Sequence, residues 1–218
     1  MSNSKKIAVV LAGCGVYDGA EIHEATMTLY AITLNGGTYE IFAPDINQHH
    51  VVNHLTGKET IETRNVLVES ARLARGKIKP LSEYNPKNFD ALIFPGGFGV
   101  AKNLCTYAFD GASCAVNNDV AMAIRETHAS KKPIGALCIS PVLLAKVLGK
   151  GIITTGTDGS TSRDVESLGA KHKKTSHGQV AVDKENLLFT APCYMLDATI
   201  VDIANDAKAV VIEMLKFI

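Results

Sequence analysis

The stretch Ile134-Gly135-Ala136-Leu137-Cys138-Ile139-Ser140-Pro141 decides how the chain is read. Ile134 to Leu137 is an apolar run of strand length. Ser140 is a favoured N-cap residue, and Pro141 is a favoured first helical residue. A buried strand therefore passes almost directly into a helix, and Cys138 occupies the tight turn between them. In open α/β sheets, ligands bind outside the carboxyl ends of the strands. The unpaired N–H groups of a helix start favour negative charge there. A thiol held on this turn is predicted to ionise more easily than a free one, and the thiolate is the nucleophile. The alternative is a buried structural cysteine, a common fate for this residue type. Gly135 is compatible with close packing at the elbow. The expected geometry matches the serine elbow of hydrolases, though the letters do not.

Working outward from this turn, the chain alternates apolar runs with amphipathic stretches. Strands are predicted at Ile7–Ala12, Tyr39–Ala43, Ala91–Phe94, Ile134–Leu137, Ile152–Thr155, Gln179–Val182 and Leu187–Thr190. Several are apolar throughout, as in parallel sheets covered on both faces. Helical patterns fall between them. Ile22, Ala25, Leu29 and Ile32 form one stripe, and Val66, Val68, Ala71 and Leu73 a less regular one. Val116 to Thr127, Pro141 to Leu148 and Leu196 to Ile218 supply three more. Strand and helix in alternation predict a doubly wound α/β fold with a mostly parallel sheet.

The 218 residues, 46% of them hydrophobic, suit one sizeable core and therefore one domain over residues 1–218. The 22 basic and 22 acidic side chains cancel, and no basic stripe is visible, so no nucleic-acid partner is expected. The cluster Lys171, His172, Lys173, Lys174 reads as a solvated surface loop. Ile7 to Ala12 is too short to span a membrane, and no membrane association is expected. Met1 to Lys6 carries no secretory pattern. Five cysteines without close paired spacing suggest neither a disulfide framework nor a zinc cage. A reducing cytoplasm is the expected compartment. His49, His50 and His54 share one polar stretch, Asp45 to Thr63, but no carboxylate or cysteine obviously completes a site. No metal is assigned to them, and the second half of that stretch could form a small hairpin or lid.

Two further features point to the same sheet edge. Ala91 to Phe94 is followed by Pro95-Gly96-Gly97-Phe98-Gly99, and glycines there let backbone N–H groups face a ligand closely. The Gly97 and Ile139 N–H groups could together hold a developing oxyanion. An ordinary glycine turn explains the same letters. The first helix is predicted to open at Asp18, with Glu21 completing a capping box. Glu24 has no such explanation. It sits beside the stripe position Ala25, either solvated or recruited to a site. A charged Glu24 near Cys138 would raise the thiol pKa; a protonated one could donate to the sulfur and shuttle protons.

These residues carry a resemblance. Gly13-Cys14-Gly15-Val16-Tyr17-Asp18-Gly19, Glu21-Ile22-His23-Glu24, Asn53-His54-Leu55-Thr56-Gly57 and Glu62-Thr63-Arg64-Asn65-Val66-Leu67 are its first pieces. Pro95-Gly96-Gly97-Phe98-Gly99, Ala101-Lys102-Asn103-Leu104, Cys138-Ile139-Ser140-Pro141 and Gly156-Thr157-Asp158 complete it. Over essentially its whole length the chain resembles the ElbB-type proteins, in the ThiJ/PfpI branch of the class I glutamine amidotransferase-like superfamily. The resemblance implies a flavodoxin-like sandwich, Cys138 as the elbow cysteine and Glu24 as the glutamate that contacts it. It suggests cofactor-free conversion of methylglyoxal or glyoxal to the hydroxy acid through a Cys138 hemithioacetal, with Glu24 moving the proton. A small aldehyde is the implied partner, and a homodimer the implied assembly.

The chain also departs from that pattern. Relatives with a full triad carry a histidine after the strand that follows the elbow helix; here Gly156 stands there. Protease relatives carry a histidine directly after the elbow cysteine; here it is Ile139. Amidotransferases carry a late His-x-Glu pair, absent from Ala191-Pro192-Cys193-Tyr194-Met195. His177 lies further along, and nothing in the sequence places it near Cys138. His23 is expected to point away from Glu24's direction. Cys14 follows the first strand and reads as a small packing residue; Cys105 and Cys114 receive no role. A non-enzymatic redox or metabolite-sensing protein, built on a low-pKa Cys138, is the competing expectation.

Overall fold

The computed structural model describes residues 4–157 and 159–218. Met1, Ser2, Asn3 and the Asp158 of the Gly156-Thr157-Asp158 motif lie outside the described residues. The strands are β1 (Lys6–Val10), β2 (Thr38–Ala43), β3 (Val51–Asn53), β4 (Lys58–Thr60), β5 (Ile78–Pro80), β6 (Ala91–Phe94), β7 (Ile134–Leu137), β8 (Ile152–Ile153), β9 (Lys171–His172), β10 (Ala181–Asp183) and β11 (Leu188–Ala191). The helices are α1 (Ile22–Leu34), α2 (Val66–Leu73), α3 (Tyr107–Asp110), α4 (Asn118–Ala129), α5 (Pro141–Leu148), α6 (Ser160–Ser167) and α7 (Ile200–Leu215).

Seven strands form one sheet in the order β10-β11-β7-β6-β1-β2-β5. All neighbours are parallel except β10, which runs antiparallel along β11 at the edge. The alternation of side chains along each strand splits the core in two. Ile7, Val9 and Leu11 face one side, with Ala25 and Ile32 of α1 and Ile203, Ala207 and Val211 of α7. Ala8, Val10 and Phe94 face the other, with Val120 and Ile124 of α4 and Leu143 and Leu144 of α5. This is a flavodoxin-like α/β sandwich, and it places the carboxyl ends of β1, β6, β7 and β11 side by side. Gly135 has a simple reason to be small: a Cβ there would lie 2.6 Å from Met214 Sδ on α7. Its close packing is with α7, beneath the sheet face rather than at the elbow.

Some sequence expectations change. The predicted strand Ile152–Thr155 stops at Ile153 and joins Lys171–His172 in a separate two-stranded sheet. Side chains cut it short. Thr154 N–H donates to Thr190 Oγ1 at 2.8 Å, and Thr155 N–H to His172 Nε2 at 3.1 Å. The expected solvated loop at Lys171 is therefore partly a strand. The hairpin alternative for Asp45 to Thr63 is what forms, as β3 and β4. Among the described residues no helix is long and apolar enough to cross a membrane.

Helix α7 starts on a capping box in which Thr199 Oγ1 accepts from Asp202 N–H and Asp202 Oδ2 accepts from Thr199 N–H. Thr199→Ala removes the cap of the helix that backs the sheet. Urea denaturation is expected to show about 1 kcal/mol less stability.

Candidate active site

The turn after β7 is an elbow. Cys138 adopts φ +60°, a left-handed conformation unusual for a residue with a Cβ. Its N–H donates to Ala191 O at 3.0 Å, tying the elbow to the end of β11. Ser140 does not cap α5 with its side chain, as the sequence suggested. Its hydroxyl donates instead to Pro95 O at 2.8 Å and locks the elbow to the loop after β6. Cys138 is only 7% exposed.

Helix α1 delivers the carboxyl group. Its N-cap is Glu21, whose Oε2 accepts from Glu24 N–H at 2.7 Å, so the helix opens later than the expected Asp18. Asp18 instead accepts from Val52 N–H at 2.7 Å and anchors β3. The later start goes with a different buried face. Ile22 is exposed, while Glu24, Ala25, Thr28, Ala31 and Ile32 are buried. Glu24 thus lies within the apolar stripe, fully buried, not at its edge.

Three groups meet the Glu24 carboxyl. Gly96 N–H donates to Oε2 at 2.8 Å, Tyr194 N–H donates to Oε1 at 3.3 Å, and the Cys138 thiol hydrogen-bonds to it. Gly96, which the sequence reading passed over in favour of Gly97, is the residue that makes this contact possible. A Cβ on it would sit 2.5 Å from Glu24 Oε2 and 3.1 Å from Cys138 Sγ, in the space where the two meet. The Pro95-Gly96-Gly97 triplet was the visible signal.

Burial, and then the nearby Glu21 charge, push the Glu24 carboxyl up to about 8 against the downward pull of its hydrogen bonds. The thiol moves the same way. Burial and the Glu24 charge raise Cys138 well above the ordinary range, while the Gly97 and Ile139 N–H groups, both directed at its sulfur, pull it down. The expectation of an easily ionised thiol is therefore reversed, because loss of water outweighs the helix start. The hydrogen bond lowers the carboxyl and raises the thiol, so in the singly ionised pair the thiol donates to the carboxylate.

A cleft of about 290 Å³ opens over the sulfur. Glu21, Gly97, Phe98, Tyr107, Ile139 and Tyr194 contribute to its walls. No histidine lines it among the described residues. The place expected for one, Gly156, is a glycine at φ +96°, and an added Cβ would lie 2.9 Å from Leu196 Cδ2, so leucine fills that space. His177 is held elsewhere, by Asp206 Oδ2 at 2.9 Å and Asp197 O at 3.0 Å. Burial disfavours its charged form, yet these partners raise its pKa. The same Asp206 accepts from Cys193 N–H at 3.0 Å and so fixes the segment that presents Tyr194 to Glu24. His23 bonds Tyr194 Oη at 2.8 Å.

The other candidates are dispersed. His49 packs on Phe109, His50 accepts from Lys102 Nζ at 2.9 Å, and His54 Nε2 accepts from Tyr17 N–H at 3.1 Å. Among the described residues no three metal-ligating side chains converge. Cys14 lies among Glu69, Arg72 and Asp18, away from the cleft. Cys105 and Cys114 are buried against each other.

The chain is 45% identical over 222 residues to the rat (Rattus norvegicus) protein named ES1 protein homolog, mitochondrial, covering 97% of this chain and 83% of that one. It is 44% identical over 221 residues to the human (Homo sapiens) glutamine amidotransferase-like class 1 domain-containing protein 3, mitochondrial, covering 97% and 82%. The chain belongs to the ES1, glutamine amidotransferase-like class 1 domain family. Among solved structures it matches an isoprenoid biosynthesis protein with amidotransferase-like domain from Ehrlichia chaffeensis, with TM-score 0.91, 33% identity, and 98% and 100% of the two chains covered. The ElbB-type resemblance read from the sequence therefore holds. No protein-family model matches the chain. One expectation is overturned: a cytoplasmic location conflicts with these ES1 relatives, which are named mitochondrial.

The raised Glu24 carboxyl makes a sign-definite prediction for this ES1-family chain. Its folded pKa of about 8 lies above the ordinary 4.5, so the folded state holds the proton longer and loses stability as pH rises through that window. Glu24→Gln removes the ionisation. Urea denaturation at the two ends of the window is expected to show the variant gaining on the order of a few kcal/mol relative to the parent.

Proposed function

We propose that the protein converts 2-oxoaldehydes to 2-hydroxy acids by covalent capture on Cys138 and proton transfer by Glu24. The observation that carries this reading is the contact between a buried thiol and a buried carboxyl whose pKa is close to working pH. A general base works best in that range.

The chemistry balances without a co-reactant. As the sulfur adds to the aldehyde carbon, the C=O π bond breaks and the thiol proton passes to Glu24, then to the new oxygen. The Gly97 and Ile139 N–H groups, which face the sulfur, would stabilise the oxyanion that forms beside it. Glu24 then takes the hydrogen on the aldehyde carbon as a proton and returns it to the adjacent carbon, while the hydroxyl proton of the first carbon passes to the oxygen of the second and a C=O bond re-forms at the first. The first carbon is oxidised and the second reduced, leaving a thioester of the 2-hydroxy acid. Water hydrolyses it and restores the thiol.

Amide hydrolysis or ammonia transfer fits the site less well. Both need a base to activate the thiol and an acid for the amine leaving group, and the cleft offers no histidine for either role among the described residues. A redox-sensing role rested on a low-pKa thiol; the raised and buried Cys138 counts against it.

Incubation with methylglyoxal and chiral detection of lactate tests the proposal. Cys138→Ala is expected to abolish turnover, and Glu24→Gln to lower it by about 10²–10⁴-fold. Because one proton must leave the pair before the thiol can attack, the parent rate is expected to rise with pH and level off near 8. Equal lactate formation by Cys138→Ala protein would rule the mechanism out.

A further inference from the structure

The cleft over Cys138 is larger and drier than methylglyoxal needs. At roughly 30 Å³ for each water-sized group, its 290 Å³ holds about ten non-hydrogen atoms, about twice what methylglyoxal would fill. Val16, Phe98, Ala101, Ala108 and Met195 supply apolar walls. Phe98 N–H bonds Val16 O at 2.8 Å, which fixes two of these walls to each other.

Both tyrosine hydroxyls and one Glu21 oxygen of the lining are engaged by other partners. Tyr107 Oη donates to Asp164 Oδ2 at 2.7 Å. Tyr194 Oη is bonded to His23 Nδ1 at 2.8 Å. Glu21 Oε2 is taken by Glu24 N–H at 2.7 Å. The two tyrosines therefore offer ring surface to a ligand. No lysine or arginine lines the cleft among the described residues, and the one charged group in its wall, Glu21, is acidic.

We infer that the site selects 2-oxoaldehydes carrying an uncharged apolar or aryl tail of about six non-hydrogen atoms beyond the dicarbonyl head. This rests on the glyoxalase reading for the head group and on the cavity alone for the tail. Cys138 and the Gly97 and Ile139 N–H groups take the carbonyl end. The tail lies along Phe98, Tyr107 and Met195. A carboxylate or phosphate on the tail meets no lysine or arginine in the lining, whose one charged group besides the site itself, Glu21, is acidic, so anionic analogues are disfavoured.

The test uses the full chain in two arms. In the first, kcat/KM is measured for methylglyoxal, a series of n-alkylglyoxals and phenylglyoxal. It is expected to rise about fourfold per added methylene until the cleft is full, then to fall. Ala108→Phe, which fills the cleft, is expected to flatten the series. In the second arm, Cys138→Ala protein is titrated with 2-butanone through 2-octanone by NMR, where no chemistry can occur. Dissociation constants are expected to tighten along the series. Turnover that is flat or falls with tail length overturns the inference and leaves the glyoxalase reading standing. No turnover of any aldehyde, with ketones binding more tightly as they lengthen, refutes the glyoxalase reading and supports the cavity assignment. Neither turnover nor tightening overturns both.

Discussion

A carboxyl group withdrawn from water costs several kcal/mol unless hydrogen bonds replace its hydration. Glu24 meets that condition in part, with the N–H groups of Gly96 and Tyr194 and the thiol of Cys138, and keeps its proton for the rest. Each partner comes from a different part of the fold. Gly96 follows β6, Cys138 follows β7 and Tyr194 follows β11, while Glu24 itself lies in the first turn of α1. The constraint explains much that surrounds it. Gly96 must lack a side chain, Ser140 must bind the Pro95 carbonyl rather than cap its helix, and the buried Asp206 must hold the Cys193 N–H. The parallel sheet brings these strand ends together, and the buried carboxyl is what they converge on.

The same burial sets the chemistry. A carboxyl left near its ordinary pKa would be fully ionised at neutral pH but too weak a base to take the thiol proton readily. Raised to about 8, it can accept and return a proton within the working range. The elbow conformation of Cys138 aims its sulfur at the Gly97 and Ile139 N–H groups, whose pull on the thiol offsets part of its burial. The surrounding apolar cleft keeps the dielectric low, which strengthens both effects.

Much of this was legible in the sequence where short-range rules decide. Ala91–Phe94, Ile134–Leu137 and Pro141–Leu148 form as read, because proline, glycine or the Ser140-Pro141 helix start punctuates their flanks. The elbow position of Cys138 followed from the same punctuation. What failed depended on distant partners. Asp18 with Glu21 looked like a capping box, but Asp18 is claimed by Val52 of the hairpin and glutamate, an uncommon cap, takes the position. The strand at Ile152 is shortened by Thr190 and His172, far along the chain. The thiol pKa was misjudged because a helix start is visible in the letters and the depth of burial is not. Strand β5 and helix α6 are too short or too polar to show a hydrophobic period.

The account turns on the protonation of one carboxyl group. Infrared difference spectroscopy across a pH titration, with the Glu24 band assigned by its loss in Glu24→Gln protein, reads that proton directly. The account predicts a protonated carboxyl at neutral pH that ionises near 8, and a changed midpoint when Cys138 is replaced by alanine. A Glu24 carboxylate already ionised near the ordinary 4.5 would contradict it.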